Sequence, residues 1–298
     1  MSKVAVGNSD NFIEDYSSPT ATWVARRTFF SISNQHPARW RIQYNSAKSS
    51  ASWNTVTAHE IGHIYGLGDI YEDRNDDKLM YGYDNGLRST QQSDKIGFQY
   101  VYPIIIARPS TDSKENLLNS LIEESSNDIL AKEKVNLLNQ RVIDGLDQVI
   151  DISASFPKIS PKDAFREADI VVKGKIESVE SEYMEYVDIP FTDFNFKVQE
   201  FIKSDEKTEK VSLNNRLIVT QDGNYQIQYD LNPLMSEGEE YILFLKRVLD
   251  NNNNEKLILV GGPNGYFSLD EGVINNSIDI NSMNGKTVEN LIKQVGQD

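Results

Sequence analysis

The sequence predicts an α+β protein: a mixed first domain, a helical linker and a mainly-β second domain built as a small barrel or sandwich. Three observations carry this. A strand-like alternation at Arg39-Trp40-Arg41-Ile42-Gln43-Tyr44 is followed by helical patterning over 56–65. Apolar residues recur at helical spacing between Glu115 and Ile150. Beyond Ile152, short apolar runs alternate with turn residues, as in small barrels and sandwiches.

In chain order, Trp40 to Tyr44 reads as a half-buried strand. At a sheet edge it would pair with an extended peptide; an internal strand is the other reading. Asn45 to Asn54 is a Ser-rich loop. Thr55 or Thr57 is placed to cap the helix over 56–65, and Gly66 and Gly68 end it. A second helix is expected over 90–102, with Ile96, Tyr100 and Val101 near one face and Pro103 beyond its end. After a polar break at 108–113, Leu117, Leu121, Leu130, Leu138, Val142 and Leu146 mark one or two amphipathic linker helices packed on a neighbour. Ser160 caps a helix that Pro161 opens. Strands are expected at 170–179, 194–201, 216–220, 225–229, 241–248, 256–260 and 265–269. No fixed-period repeat is visible. The domains are therefore 1–107, 108–150 and 151–298.

The bulk numbers bound the function. A chain of 298 residues holds two ordinary domains, and 39% apolar with 25% charged residues fits soluble globular material. A net charge of −15 repels phosphate backbones and excludes nucleic acid as a partner. No apolar run approaches the roughly 18 residues of a membrane span. The absence of cysteine excludes disulfides, thiol chemistry and cysteine zinc sites. No apolar core follows Lys3, so no signal peptide is read. The chain is either cytoplasmic or begins downstream of its natural start. No feature of the sequence specifies an oligomeric state.

The chemistry concentrates in His59-Glu60-Ile61-Gly62-His63-Ile64-Tyr65-Gly66-Leu67-Gly68-Asp69. Amide hydrolysis at neutral pH needs a strong nucleophile and a partner for the developing oxyanion. Zinc with three protein ligands and one open position supplies both, lowering the pKa of bound water to about 7. Helix positions four apart share a face, so His59 and His63 converge as two ligands. Glu60, beside the first ligand, is placed as general base. A third ligand needs the chain to double back. Gly66 permits this through a positive φ, and Asp69 then reaches the metal through a carboxylate oxygen. Ordinary packed histidines are the bland alternative. Only three histidines occur in the chain, and two of them fall in this spacing. The loop Glu72-Asp73-Arg74-Asn75-Asp76-Asp77 offers hard oxygens of the kind calcium takes. Its residue order matches no calcium loop, and it reads as a solvated turn.

This segment resembles the metzincin metalloproteases, whose motif is H-E-x-x-H-x-x-G-x-x-H/D, with a snapalysin-type Asp in third place. Leu79-Met80-Tyr81-Gly82-Tyr83 is similar to the matrixin Met-turn, and Asp94 to Tyr102 to the closing helix of matrixin catalytic domains. The resemblance covers about a fifth of the chain, roughly 40–102. It implies a zinc endopeptidase acting on a protein or peptide substrate. Met80 would lie beneath the metal, Asp94 would hydrogen-bond the Met-turn backbone, and Tyr81 and Tyr83 would wall the specificity pocket. Metzincin domains normally carry a long helix and several strands before the zinc helix. Only 58 residues precede His59, so the domain reads either as a shortened member or as one lacking its natural N-terminus and signal peptide.

Beyond Ile152 there is no histidine, and the carboxylates are scattered. Ala168 to Ile176 and Glu237 to Leu245 look like segments of OB-like β domains in exported proteins of Gram-positive bacteria. That points to a binding, positioning or purely structural module, and to an extracellular or cell-surface location, with the cytoplasm as alternative. Two other functions compete with the secreted endopeptidase. One is a non-catalytic binding protein built on a truncated protease domain. The other is a cytoplasmic His-Glu-x-x-His peptidase acting on a regulator.

Overall fold

The computed structural model describes residues 11–33, 36–48, 53–71, 73–84, 87, 89–101, 151–185, 189–204, 216–276 and 283–296. The expected linker helices over 115–150 lie outside the described residues. The protein contains both helices and sheets, and strands predominate. It divides into two compact units. One comprises Met1–Glu14, Arg27–Ile42 and Ala51–Asp151; the other comprises Asp15–Arg26, Gln43–Ser50 and Ile152–Asp298.

The strands β1 (Phe12–Tyr16), β2 (Ala25–Ser33) and β3 (His36–Asn45) lie side by side in the order β1-β3-β2. The segment read as a possible edge strand is therefore internal: β3 has a neighbour on each side, and its backbone groups there are already paired. In the first unit, helix α1 (Trp53–Ile64) begins before the expected Thr caps. Thr57 lies inside it, and its hydroxyl donates to the Trp53 carbonyl at 2.7 Å. A threonine satisfied by the carbonyl four residues back sits in a helix interior without needing a cap position. The short strand β4 (Tyr83–Asp84) and helix α2 (Gln92–Val101) complete the described part of this unit.

From Ile152 the second unit continues in β5 (Asp151–Pro157), where the Val24 N–H donates to the Ser155 carbonyl at 2.8 Å. Helix α3 (Pro161–Glu167) has Ser160 as its cap, whose hydroxyl accepts from Asp163 N–H at 3.1 Å. Then follow β6 (Ile170–Glu185), β7 (Ile189–Lys203), β8 (Arg216–Asp222), β9 (Glu240–Leu249), β10 (Glu255–Leu259), β11 (Tyr266–Asp270), β12 (Val273–Ile274) and helix α4 (Val288–Val295). The order β10-β8-β7-β6-β9 is closed by a β10–β9 pairing into a five-stranded barrel, with β11 and β12 continuing beyond β9. All contacts around the ring are antiparallel except β8–β10.

The barrel explains why β6 and β9 are apolar on consecutive positions. Val172, Ile176, Leu243 and Leu245 fill the interior with Phe194, Phe196 and Val219. Val171, Ile242 and Phe244 face the other way and pack with Ala164, Phe267, Leu291 and Val295. Strands buried on both faces lose the simple period of two. The segment expected as a strand at 225–229 is instead a turn. The Asn224 side-chain oxygen accepts from Gln226 N–H at 3.1 Å and Ile227 N–H at 2.8 Å, which folds the backbone back locally.

Candidate metal centre

Three side chains from two segments meet in the first unit. His59 and His63 project from one face of α1, and Asp69 comes from the extended segment after it. The helix ends in a Schellman arrangement. Gly66 has φ +85°, Gly66 N–H bonds the His63 carbonyl at 2.8 Å, and Leu67 N–H bonds the Gly62 carbonyl at 3.1 Å. This reversal brings Asp69 back over the helix. Its Oδ1 lies 3.0 Å from His59 Nε2 and 3.4 Å from His63 Nε2, and the two Nε2 atoms are 3.0 Å apart.

The hydrogen bonds around the three side chains set which atoms they turn toward one another. His59 Nδ1 faces the Leu79 carbonyl at 2.8 Å, and His63 Nδ1 faces the Leu67 carbonyl at 2.9 Å. A carbonyl only accepts, so each Nδ1 carries a proton, and in the neutral ring each Nε2 presents a lone pair. Two imidazole lone pairs and a carboxylate oxygen at this separation repel one another unless a positive charge sits among them. Burial pulls the His59 imidazole down, but the Asp69 carboxylate, Glu60 and the Leu79 carbonyl outweigh it and raise it to about 9. Burial pushes Asp69 up, and the two imidazoles outweigh it and hold its carboxyl well below the usual range. Two imidazoles with carbonyl-bound Nδ1–H groups and one carboxylate fit a zinc ion as a donor set. Among the described residues this is the grouping of histidine and carboxylate side chains able to hold a metal.

The supporting residues lie around the same point. Ile70 N–H donates to the Met80 carbonyl at 2.8 Å and Gly82 N–H to the Ile70 carbonyl at 3.0 Å, so the Asp69 segment and the 80–82 segment run paired. The Met80 side chain packs against Gly62, between the two histidines in sequence. A Cβ at Gly62 would come 2.4 Å from Met80 Sδ, so any larger residue there would push the Met80 side chain aside. Asp94, in the first turn of α2, accepts from Leu79 N–H at 3.3 Å, Met80 N–H at 3.4 Å and Gln91 N–H at 2.7 Å. It thereby steadies the turn whose Leu79 carbonyl orients His59. Glu60 is fully enclosed next to His59.

Tyr81 and Tyr83 are buried, at 1% and 3% exposure, with ring centroids 5.5 Å apart. They form packed interior rather than open wall. In the acidic loop, Asp73–Asn75 forms a 3-10 turn, and Asp77 pairs with Lys78 at 2.9 Å. One residue of the site is absent from the sequence reading. The Tyr71 hydroxyl donates to Asp69 Oδ2 at 3.1 Å. The available signal was spacing: residues two apart in an extended segment share a side. Comparison with known proteins finds no family model and no curated protein that matches this chain.

Proposed function

We propose that the protein is a zinc endopeptidase of metzincin type, with His59, His63 and Asp69 as metal ligands and Glu60 as general base. The observation that carries it is the convergence of two imidazole Nε2 atoms and Asp69 Oδ1 beside a glutamate enclosed next to the first ligand. Zinc, when bound, supplies Lewis acidity toward a peptide carbonyl and acidifies a water molecule to a pKa of about 7. Glu60 accepts the proton that the attacking water loses and delivers it to the leaving amine nitrogen as the C–N bond breaks. Leu79 and Leu67 hold the imidazoles in the ligating tautomer, and Met80 and Asp94 support the turn that does so. The strand order of the second unit supports an OB-like barrel, read as a binding or positioning module. The substrate class is protein or peptide, and the location is extracellular or the cell surface.

Glu60→Gln is expected to retain zinc and lose cleavage of a denatured protein substrate by roughly a hundredfold or more. Asp69→Ala is expected to lose zinc. Pure wild-type protein without zinc, or proteolysis unchanged by Glu60→Gln, would overturn the proposal. A second reading, a zinc-holding protein that does not cleave, draws on the burial of the site. Glu60 is fully enclosed, and the side chains of His59, His63 and Asp69 are only 4–6% exposed. Stoichiometric zinc with no cleavage of any denatured substrate would establish that reading instead.

A further inference from the structure

The two oxygens of Asp69 have different surroundings. Oδ1 lies within 3.4 Å of both imidazole Nε2 atoms. Oδ2 accepts the Tyr71 hydroxyl at 3.1 Å. We propose that Tyr71 is a positioning residue that restricts Asp69 to ligation through Oδ1 and so keeps one coordination position of the metal open. The inference rests on the peptidase reading of the same site and assigns a residue which that reading does not use.

The argument is one of donor supply and geometry. A carboxylate binds a metal through one oxygen or through both. An oxygen committed to a phenol donor is held away from the second mode. With two imidazoles already in place, an Asp ligating through both oxygens would fill the position that a catalytic zinc keeps for water or substrate. The backbone makes the commitment firm. Asp69 and Tyr71 flank Ile70 in an extended segment and share a side of it. Ile70 is tied through both its N–H and its carbonyl to the 80–82 segment, at 2.8 and 3.0 Å. That segment follows Leu79, whose carbonyl orients His59. The device that sets the Asp69 carboxylate and the device that sets the His59 ring therefore share one anchor. Outer-sphere partners of this kind tune a metal site as well as hold it.

The test uses the full chain loaded with cobalt(II) in place of zinc, because the intensity of cobalt visible absorption reports coordination number. Tyr71→Phe is expected to bind cobalt with weakened, shifted visible absorption, reflecting a higher coordination number, while the metal-free protein keeps its melting temperature. A Tyr71→Phe spectrum identical to that of wild type overturns the proposal. A second pair guards against a purely structural effect. Asp69→His has no second oxygen to swing in, so adding Tyr71→Phe to it is expected to leave its cobalt spectrum unchanged. An equal spectral change in both backgrounds also overturns the proposal. Failure of wild-type protein to take up cobalt or zinc is a different outcome, and it sinks the peptidase reading itself.

Discussion

Asp222 ends β8 with its carboxyl buried at 1% exposure, a costly place for a charge. It accepts the Thr22 N–H at 3.0 and 3.2 Å through its two oxygens, and also the Thr22 hydroxyl. Burial dominates and pushes its pKa from 3.8 up to about 6, against the Thr22 bonds and the Lys48 charge. The folded state therefore holds this proton more tightly than the unfolded chain does. Its contribution to stability is complete below the unfolded value of 3.8 and is lost as pH rises through about 6. Asp222→Asn keeps an acceptor for Thr22 and removes the charge. Between about pH 4 and 7 wild type is expected to lose more stability than the variant does, by on the order of 3 kcal/mol at most. Urea unfolding of both proteins across that range checks it, and parallel curves would sink the assignment. Residues of this kind are illegible in sequence. Asp222-Gly223 reads as a turn, and nothing local reveals a partner two hundred positions away. The convergence of His59, His63 and Asp69 is legible because helix periodicity and one turn glycine bring them together from local rules alone. Tyr71 lies between these cases, since its spacing was visible but its partner was not.

At the scale of elements, the end of α1 decides whether His59, His63 and Asp69 come together. Gly66 adopts φ +85°, where a Cβ is strained, and the two hydrogen bonds of the reversal depend on that conformation. Leu67, whose carbonyl holds His63 Nδ1, follows immediately. Gly66→Ala is expected to cost about 1–2 kcal/mol in denaturant unfolding and to weaken zinc binding in competition with a chelator. Unfolding and zinc affinity equal to wild type would show that the chain makes this turn equally well with alanine. This helix end was readable because glycine just past an apolar-periodic stretch is a strong stop signal. The helix start was not, because Thr57 is satisfied by Trp53 inside the helix rather than at a cap. The barrel strands were readable by their apolar runs but came out longer than expected. β6 and β7 continue to pair through Glu182↔Thr192 to Glu185↔Ile189, where the β6 side chains turn largely to solvent while Ile189, Phe191 and Thr192 of β7 stay buried. β2 was missed because Arg26 and Arg27 look like surface residues. Both are buried, with the Arg26 Nε donating to Gln43 at 2.7 Å and Arg27 lying 4.0 Å over the Phe29 ring.

Across the whole molecule, the second unit is not a continuous stretch of chain. Asp15–Arg26 and Gln43–Ser50 belong to it together with Ile152–Asp298. Those early segments touch the barrel strands through specific bonds. Ser18 Oγ donates to Glu185 at 2.7 Å, Thr22 bonds Asp222, and Asn251 Nδ2 donates to the Ser17 carbonyl at 3.0 Å. Thr22 also lies against Gly262, where an added Cβ would come 2.6 Å from its Oγ1. A fragment beginning at Asp151 keeps every strand of the closed barrel but loses all of these contacts. Without them, the Asp222 carboxyl and the neighbouring ends of β6 and β8 become open to water. The fragment is expected to keep a β-rich circular dichroism spectrum, because the interior cluster lies entirely within 170–266. Its amide groups at Gln221 and Asp222 are expected to exchange with solvent faster than in the intact chain, while those at Leu243 and Leu245 in β9 change less. Hydrogen exchange read residue by residue separates these sites. Equal protection at Gln221 and Asp222 in fragment and intact chain would mean that the early segments add nothing to the barrel's hold on β8.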